Sequence, residues 1–391
     1  MVLFLHNRYR TTGGEERVLE DLMWLVRDRL GEPVELFSRS SSSVARATAA
    51  AGLLRGGLDP DDVAKAVRLS GARLVHAHNL HPTLGWRGLA AARAAGAPVV
   101  LHLHQYRLVC ANGVCFTKGD DCTRCHGRNT LPGVLHNCRG SRAESLVYGL
   151  ALALWQRRIV EHADVVIVPS AFARERLRAL GAPLVDERVR VLAPPLRALE
   201  PAGEAGQGGG TRAVGAARGY ALVVSRLSHE KGVDVAIDAC RLAGIDLVVA
   251  GDGPELEALR ARAGGANVEF VGRVDDDALA RLRERAAVAL VPSRSAETFG
   301  LAAAEALAAG VPVVASSVGA LADLVDESAL VRPGDARALA SAIGRVAGDR
   351  ASARSGLERV RALCAPDVVA RGLADAYERA AALAPAHTLT R

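Results

Sequence analysis

Two series of short apolar strands, each alternating with helical segments, limit what this chain can fold into more than any other feature. The first series reads VLFLHN, VELFS, RLVHAH, PVVLHLH and DVVIVPS, with an amphipathic helix over Glu16 to Arg29 after the first loop. The pattern stops near Pro194 and Pro195. A second series follows: YALVVSR, DLVVAGD, VEFVGRV, VALVPS and VPVVAS. Continuous Val- and Ala-rich runs suit parallel strands buried on both faces, and strand–helix alternation builds a doubly wound sheet. Between the series, residues 197–217 are rich in Gly, Ala and Glu and read as a linker. The expected fold is therefore α/β, with two Rossmann-like doubly wound parallel-sheet lobes facing a cleft. Its parts are residues 1–196, a linker at 197–217, residues 218–365, and a terminal helix over 366–391. Ligands of open α/β sheets bind beyond the carboxyl ends of the strands, so the cleft is the expected site.

The stretch from Ser293 to Ser316, SRSAETFGLAAAEALAAGVPVVAS, sets Glu297 and Glu305 eight positions apart. Glu297 falls in a strand-to-helix loop and Glu305 about two turns into the helix. The amides of Phe299, Gly300 and Leu301 stand at the helix N-terminus, where they can hold an anion. Two carboxylates beside an anion cradle suit a ligand that is half sugar and half diphosphate. Two solvated glutamates on a surface helix are the alternative.

At the start of the second lobe, VVSRLSHEKGVD places Arg226 and Lys231 around a tight loop. An Arg fork and a Lys point charge can neutralise a diphosphate leaving group. Gly251, Gly253 and Pro254 in VVAGDGPELEALR form a strand–turn–helix joint, read as structural. In the first lobe, Gly13 and Gly14 of RTTGGEERV permit close approach of the backbone to a phosphate, while Glu15 and Glu16 suit the positive end of the helix dipole.

These elements together resemble the retaining GT-B glycosyltransferases, family 4, over nearly the whole chain. The E-x7-E stretch resembles that family's signature, VVSRLSHEKG its G-R-L-x-x-E-K-G element with Ser225 in place of the usual Gly, and HNRY-x3-GGEE its first loop. The resemblance implies that Glu297 lies at the donor sugar and that Glu305 binds the ribose hydroxyls. The amides of Phe299, Gly300 and Leu301, with Arg226 and Lys231, would hold the diphosphate. FVGRVDDDAL resembles the segment whose backbone, around Gly272 and Arg273, meets the base. His104, ending VVLHLH, matches the position of a His beside donor and acceptor; His102 shares its face.

The activity so implied moves a sugar, with retention, from a nucleoside-diphosphate sugar, taken as a UDP-sugar, to a hydroxyl acceptor. That acceptor is a glycan, a lipid-linked intermediate of surface polysaccharide or glycolipid assembly, or a small-molecule aglycone. No residue is placed as a far-face nucleophile. A same-face route, with a donor phosphate oxygen taking the acceptor proton, is expected instead. A non-catalytic nucleotide-sugar or partner-binding protein is the rival reading.

Five of the seven cysteines fall between 110 and 138. Cys122 and Cys125 have zinc-knuckle spacing, and Cys110 and Cys138 complete a candidate structural zinc set, with His126 and His136 as alternatives. A redox pair or free thiols are the rival readings. No catalytic metal is expected. Net charge is +6 with no long run of one sign, which suits anionic nucleotides and argues against nucleic acid. The chain shows no signal-peptide pattern and is expected in the cytoplasm. The run Leu146 to Trp155 is too short to span a bilayer. It reads as a buried core helix, with a helix lying on the membrane surface as the alternative.

Overall fold

The computed structural model describes residues 1–9, 13–200, 219–265 and 267–388. The chain divides into two compact units. The first comprises residues 1–117, 122–195 and 367–391, and the second residues 118–121 and 196–366. Residues 201–217 of the expected linker and 10–12 of the first loop lie outside the described residues. Arg197–Leu199 form a short 3-10 turn.

In the first unit the elements run β1 (Val2–Arg8), α1 (Gly14–Arg29), β2 (Val34–Ser40), α2 (Arg46–Arg55), α3 (Pro60–Ser70), β3 (Leu74–Ala77), α4 (Gly85–Ala94), β4 (Val99–His102), α5 (Leu131–Leu135), α6 (Arg142–Glu161), β5 (Val165–Val168), α7 (Ala171–Ala179) and β6 (Val189–Val191). The sheet order is β2-β1-β3-β4-β5-β6, all parallel. β3, β4 and β5 are buried along their whole length, which is why they read as unbroken apolar runs. The order reverses between β1 and β3, the kind of point where α/β sheets bind ligands.

The second unit contains β7 (Tyr220–Val224), α8 (Val233–Ala243), β8 (Leu247–Ala250), α9 (Leu256–Ala263), β9 (Val268–Gly272), α10 (Asp276–Arg285), β10 (Ala286–Val291), α11 (Leu301–Ala308), β11 (Val313–Ser316), α12 (Leu321–Leu324), β12 (Leu330–Val331), α13 (Ala336–Val346) and α14 (Arg350–Cys364). Its parallel order is β9-β8-β7-β10-β11-β12, the Rossmann arrangement, with the reversal between β7 and β10. α15 (Pro366–Thr388) then joins the first unit, where Tyr377 donates to or accepts from His76 at 2.8 Å and is almost fully buried.

Three sequence readings need correction. Each of the two parallel sheets has a sixth strand, β6 and β12, which the sequence pattern does not announce because these edge strands are short and Val191 is exposed. The helix of residues 146–155 is not a buried core helix. Leu146, Leu150 and Leu154 stand on one stripe of α6 at 54%, 45% and 40% exposure, while Gly149, Ala151 and Leu152 face inward. The first helix begins at Gly14 rather than Glu16, because Gly13 caps it and its N–H donates to Glu16 Oε2 at 2.9 Å. Among the described residues no helix is long and apolar enough to cross a membrane.

Candidate active site

In the second unit, the loops leaving β7 and β10 meet because these strands are neighbours at the reversal of strand order. Lys231 follows β7 and Glu297 follows β10, and their side chains form an ion pair, Nζ to Oε1, at 2.7 Å. Ser293 Oγ donates to the same carboxylate oxygen at 2.7 Å. Burial pushes the Glu297 carboxyl up, but the Lys231 ammonium and the bonds from Lys231 and Ser293 outweigh it. The net result is a pKa below the ordinary value, so Glu297 is an anion at neutral pH.

The two loops are stitched together. Arg294 forks onto Asp234 at 2.7 and 2.6 Å, and its own N–H donates to the Glu230 carbonyl at 2.8 Å. Gly232, with φ +66°, lets the chain after Lys231 pass the Pro292 carbonyl, where an added Cβ would sit at 2.0 Å. Gly319, with φ +61°, lies against Glu297, where a Cβ would meet the Glu297 nitrogen at 2.3 Å and oxygen at 2.4 Å. The Ala320 N–H donates to the Glu297 carbonyl at 2.9 Å. Gly319→Ala is therefore expected to shift Glu297. It should lower kcat on the order of 10²-fold and lower Tm as well, because an alanine at positive φ pressed against backbone atoms is strained. Full turnover in a folded Gly319→Ala protein would remove this glycine from the site.

Arg226 is half exposed and donates to Glu230 at 2.5 Å, and Ser228 Oγ donates to the same carboxylate oxygen at 2.7 Å. Burial pushes Glu230 up, and Ser228 and Arg226 bring it below its ordinary value. The sequence reading gives both cations to a diphosphate; in this structure each is paired with a carboxylate. Glu305 lies in α11, buried, in an ion pair with Arg283 of α10. Gly300, φ +94°, caps that helix, so the amides that begin with Leu301 are first-turn amides without intrahelical partners. Phe299 is buried. Gly272 ends β9 in the left-handed region, its carbonyl accepting from Gly251 N–H at 2.8 Å, and Arg273 is exposed.

Sequence reading missed Ser293, Asp234, Arg294, Gly319 and Arg283. Asp234, three residues after Lys231 at a helix start, carried a local signal. So did Ser293, only four residues before the Glu297 it bonds; the others act across gaps in sequence that a motif does not span.

In the first unit, Gly13 and Gly14 are exposed, and Glu16 occupies the Gly13 amide and also accepts from Tyr9 N–H at 3.3 Å. The helix-partner reading of Glu16 fits, and it competes with phosphate for that amide. His104 stands just past β4, its Nε2 at 2.8 Å from His78 Nδ1. Burial holds His104 well below the ordinary histidine pKa, with help from His102 and His6, so the ring is neutral at pH 7.

The four cysteines read as zinc ligands, Cys110, Cys122, Cys125 and Cys138, line one pocket together with Cys115 and His136. His126 instead pairs with Asn129 through the backbone. Hydrogen bonds from Cys115 lower the Cys110 thiol to about 6, whereas burial raises Cys125 to about 11. Cys138 donates to Thr117 Oγ1 at 3.7 Å. The pocket offers soft thiol ligands of the kind zinc takes, with Cys110 already close to a thiolate.

Comparison with known proteins places these features in context. Residues 218–349 match the family model "Glycosyl transferases group 1", and residues 12–195 match "Glycosyl transferase 4-like domain". A GDP-mannose-dependent alpha-(1-6)-phosphatidylinositol dimannoside mannosyltransferase of Mycobacterium tuberculosis is 37% identical over 177 residues, 43% of this chain and 45% of that protein. A glycogen synthase of the same organism is 39% identical over 145 residues, 34% of this chain and 35% of that protein. The matches thus span less than half the length of these curated relatives. Among solved structures, sucrose-phosphate synthase of Thermosynechococcus elongatus superposes with a TM-score of 0.68 at 22% identity, covering 97% of this chain and 98% of that one. HepE of Anabaena, solved with UDP, gives a TM-score of 0.61 at 20% identity, covering 96% of this chain and 99% of that one.

Proposed function

Since the chain belongs to the GT-B glycosyltransferases of the family 4 type, we propose that it transfers a sugar, with retention, from a UDP-sugar to a hydroxyl of a glycan or glycolipid. The observation that carries this reading is the Lys231–Glu297 pair at 2.7 Å, held where the strand order of the second sheet reverses. Glu297 is already bound by an ammonium and a hydroxyl. Such a carboxylate is a weak nucleophile but a good acceptor for a sugar hydroxyl. That supports the same-face route, in which a phosphate oxygen of the donor takes the acceptor proton. In this reading Lys231, Arg226 and the amides at Phe299, Gly300 and Leu301 carry the diphosphate charge as it leaves. Arg226 turns from Glu230 to the phosphate. Glu305 takes the ribose, Gly272 and Arg273 border the base, and His104 serves the acceptor.

Uracil is the proposed base because HepE was solved with UDP and with UDP-glucose. The GDP-mannose-dependent relative makes GDP the rival. A phosphatidylinositol-type acceptor of that relative supports a lipid-linked acceptor here, and so does the surface. Leu146, Leu150 and Leu154 of α6 and Leu131 and Leu135 of α5 are exposed, and Arg142, Arg157 and Arg158 lie on the same helix α6. Exposed leucines beside arginines suit an anionic lipid surface. We also propose zinc at Cys110, Cys122, Cys125 and Cys138 as a staple for the loop, with no part in the chemistry.

A melting screen with UDP-, GDP- and ADP-sugars tests the donor. A ligand present at 100 times its Kd raises stability by about 2.7 kcal/mol. UDP-sugars are expected to raise Tm and to be turned over, faster in the presence of anionic lipid vesicles. EDTA is expected to lower Tm. Shifts with GDP-sugars alone would overturn the UDP assignment, and neither shift nor turnover with any donor would overturn the transferase reading.

A further inference from the structure

Five of the chain's 11 histidines gather at the carboxyl ends of β1, β3 and β4: His6, His76, His78, His102 and His104. The strand register explains the gathering. Pairing of β1 with β3 sets Phe4 beside His76, and pairing of β3 with β4 sets His76 beside Val100 and Ala77 beside Leu101. Alternate residues share a face, so the HAH and HLH sequences raise two parallel rows of imidazoles on one face of the sheet. The rings stack, His76 on His102 at 5.5 Å and His78 on His102 at 5.3 Å between centroids. The proposed transfer uses only His104 of this group.

His76, His78 and His102 are almost fully buried. A neutral imidazole has a lone pair to give to a metal. One ligand nitrogen from each lies within 4.8 Å of the other two. His76 Nε2 and His102 Nδ1 are 3.3 Å apart, a long hydrogen bond that a cation between them would replace. That separation is about the edge of a tetrahedron built on metal–nitrogen bonds of roughly 2.0–2.1 Å.

Two of the three remaining nitrogens are arranged as a metal site requires. His76 Nδ1 is held by the Tyr377 hydroxyl at 2.8 Å, and His78 Nδ1 by His104 Nε2 at 2.8 Å. Metal-ligating histidines characteristically have the second nitrogen fixed in this way. His78 Nε2, in contrast, is buried without a hydrogen-bond partner. A buried polar atom left so is costly, and a bound cation removes the cost.

We propose that His76 Nε2, His78 Nε2 and His102 Nδ1 bind zinc or another borderline divalent cation, with water as the fourth ligand. The site is separate from the cysteine pocket and chemically distinct from it, being all nitrogen where the other is sulfur. Because His104 rests on a ligand of this metal, occupancy fixes the orientation of the histidine assigned to the acceptor.

The test uses the full chain carrying Cys122→Ser and Cys125→Ser, which removes the thiolate site. After zinc loading and dialysis, this protein is expected to keep about one equivalent of zinc. Its X-ray absorption should show only nitrogen or oxygen neighbours at about 2.0–2.1 Å and no sulfur at about 2.3 Å. His102→Gln added to it should lose that equivalent. A folded serine variant that keeps no zinc, or whose zinc survives His102→Gln, overturns the proposal. If the serine variant does not fold, the wild-type chain decides: zinc content should fall by about one equivalent on His102→Gln with the sulfur shell unchanged. An unchanged content overturns the site.

Discussion

Glu297→Ala and Lys231→Ala are each expected to lower kcat by about 10²–10³-fold, with the second unit still folded. Removing one donor aimed at developing transition-state charge costs about 3–4 kcal/mol, and Lys231 is such a donor in the proposed chemistry. Glu297 loses as much by a different route, since Lys231 no longer has the carboxylate that holds it at 2.7 Å. The two residues act as a unit, so the double substitution should cost little more than either alone. Single-turnover kinetics on the three variants measures this. Turnover that survives Lys231→Ala and Glu297→Ala together would end the site assignment.

The same pair sets a pH dependence. The Glu297 pKa is held below its ordinary value in the folded chain. Its contribution to stability is therefore fully present above the unfolded carboxyl pKa, and it fades as pH falls through the lower folded value. Activity should follow the same acid limb, beginning below the ordinary carboxylate range.

Arg283→Met should destabilise the second unit by about 3 kcal/mol, because it strands a buried carboxylate. Glu305 and Arg283 are both about nine-tenths buried and bonded to each other. For a unit of this size the loss corresponds to a Tm fall of roughly 6–12 °C. Donor binding should restore part of it if the ribose hydroxyls engage Glu305. Glu305→Gln in the Arg283→Met background should recover stability, since no charge is then left buried. A Tm within 2 °C of wild type, read against roughly 2–4 °C per kcal/mol, would show that the pair contributes nothing net.

How far the sequence could be read depended on how local each feature is. Strands such as Val165–Val168 and the loop bearing Lys231 declare themselves by runs and turns of a few residues, and both stand where they were expected. Gly319 does not. Its need to be glycine comes from the Glu297 backbone, more than twenty residues earlier, and nothing in SSVGALAD shows it. The partner of Glu305 sits on another helix. His76 and His102 are visible as HAH and HLH, yet only the pairing register turns two alternating motifs into one cluster. The run around Leu150 shows the limit in the other direction. Apolar composition is legible, but which side of α6 meets protein depends on α5 and α2 packing against it. The start of α1, two residues ahead of the expected Glu16, is set by a glycine whose N–H the Glu16 side chain accepts.

The placement of α15 in the first unit bears on how the protein is made. Residues 1–195 leave the ribosome early, but Tyr377, which covers His76, comes only after all of Leu196–Pro366 has been synthesised. At about 5–20 residues per second, that interval lasts roughly 10–30 s. Throughout it the nascent first sheet lacks its last helix, and Val369, Leu373 and Ala376, all buried in the finished fold, have yet to dock. Chaperone binding to stalled nascent chains should therefore persist well past the point at which residue 195 emerges, and should cease once residues 367–388 are free to dock.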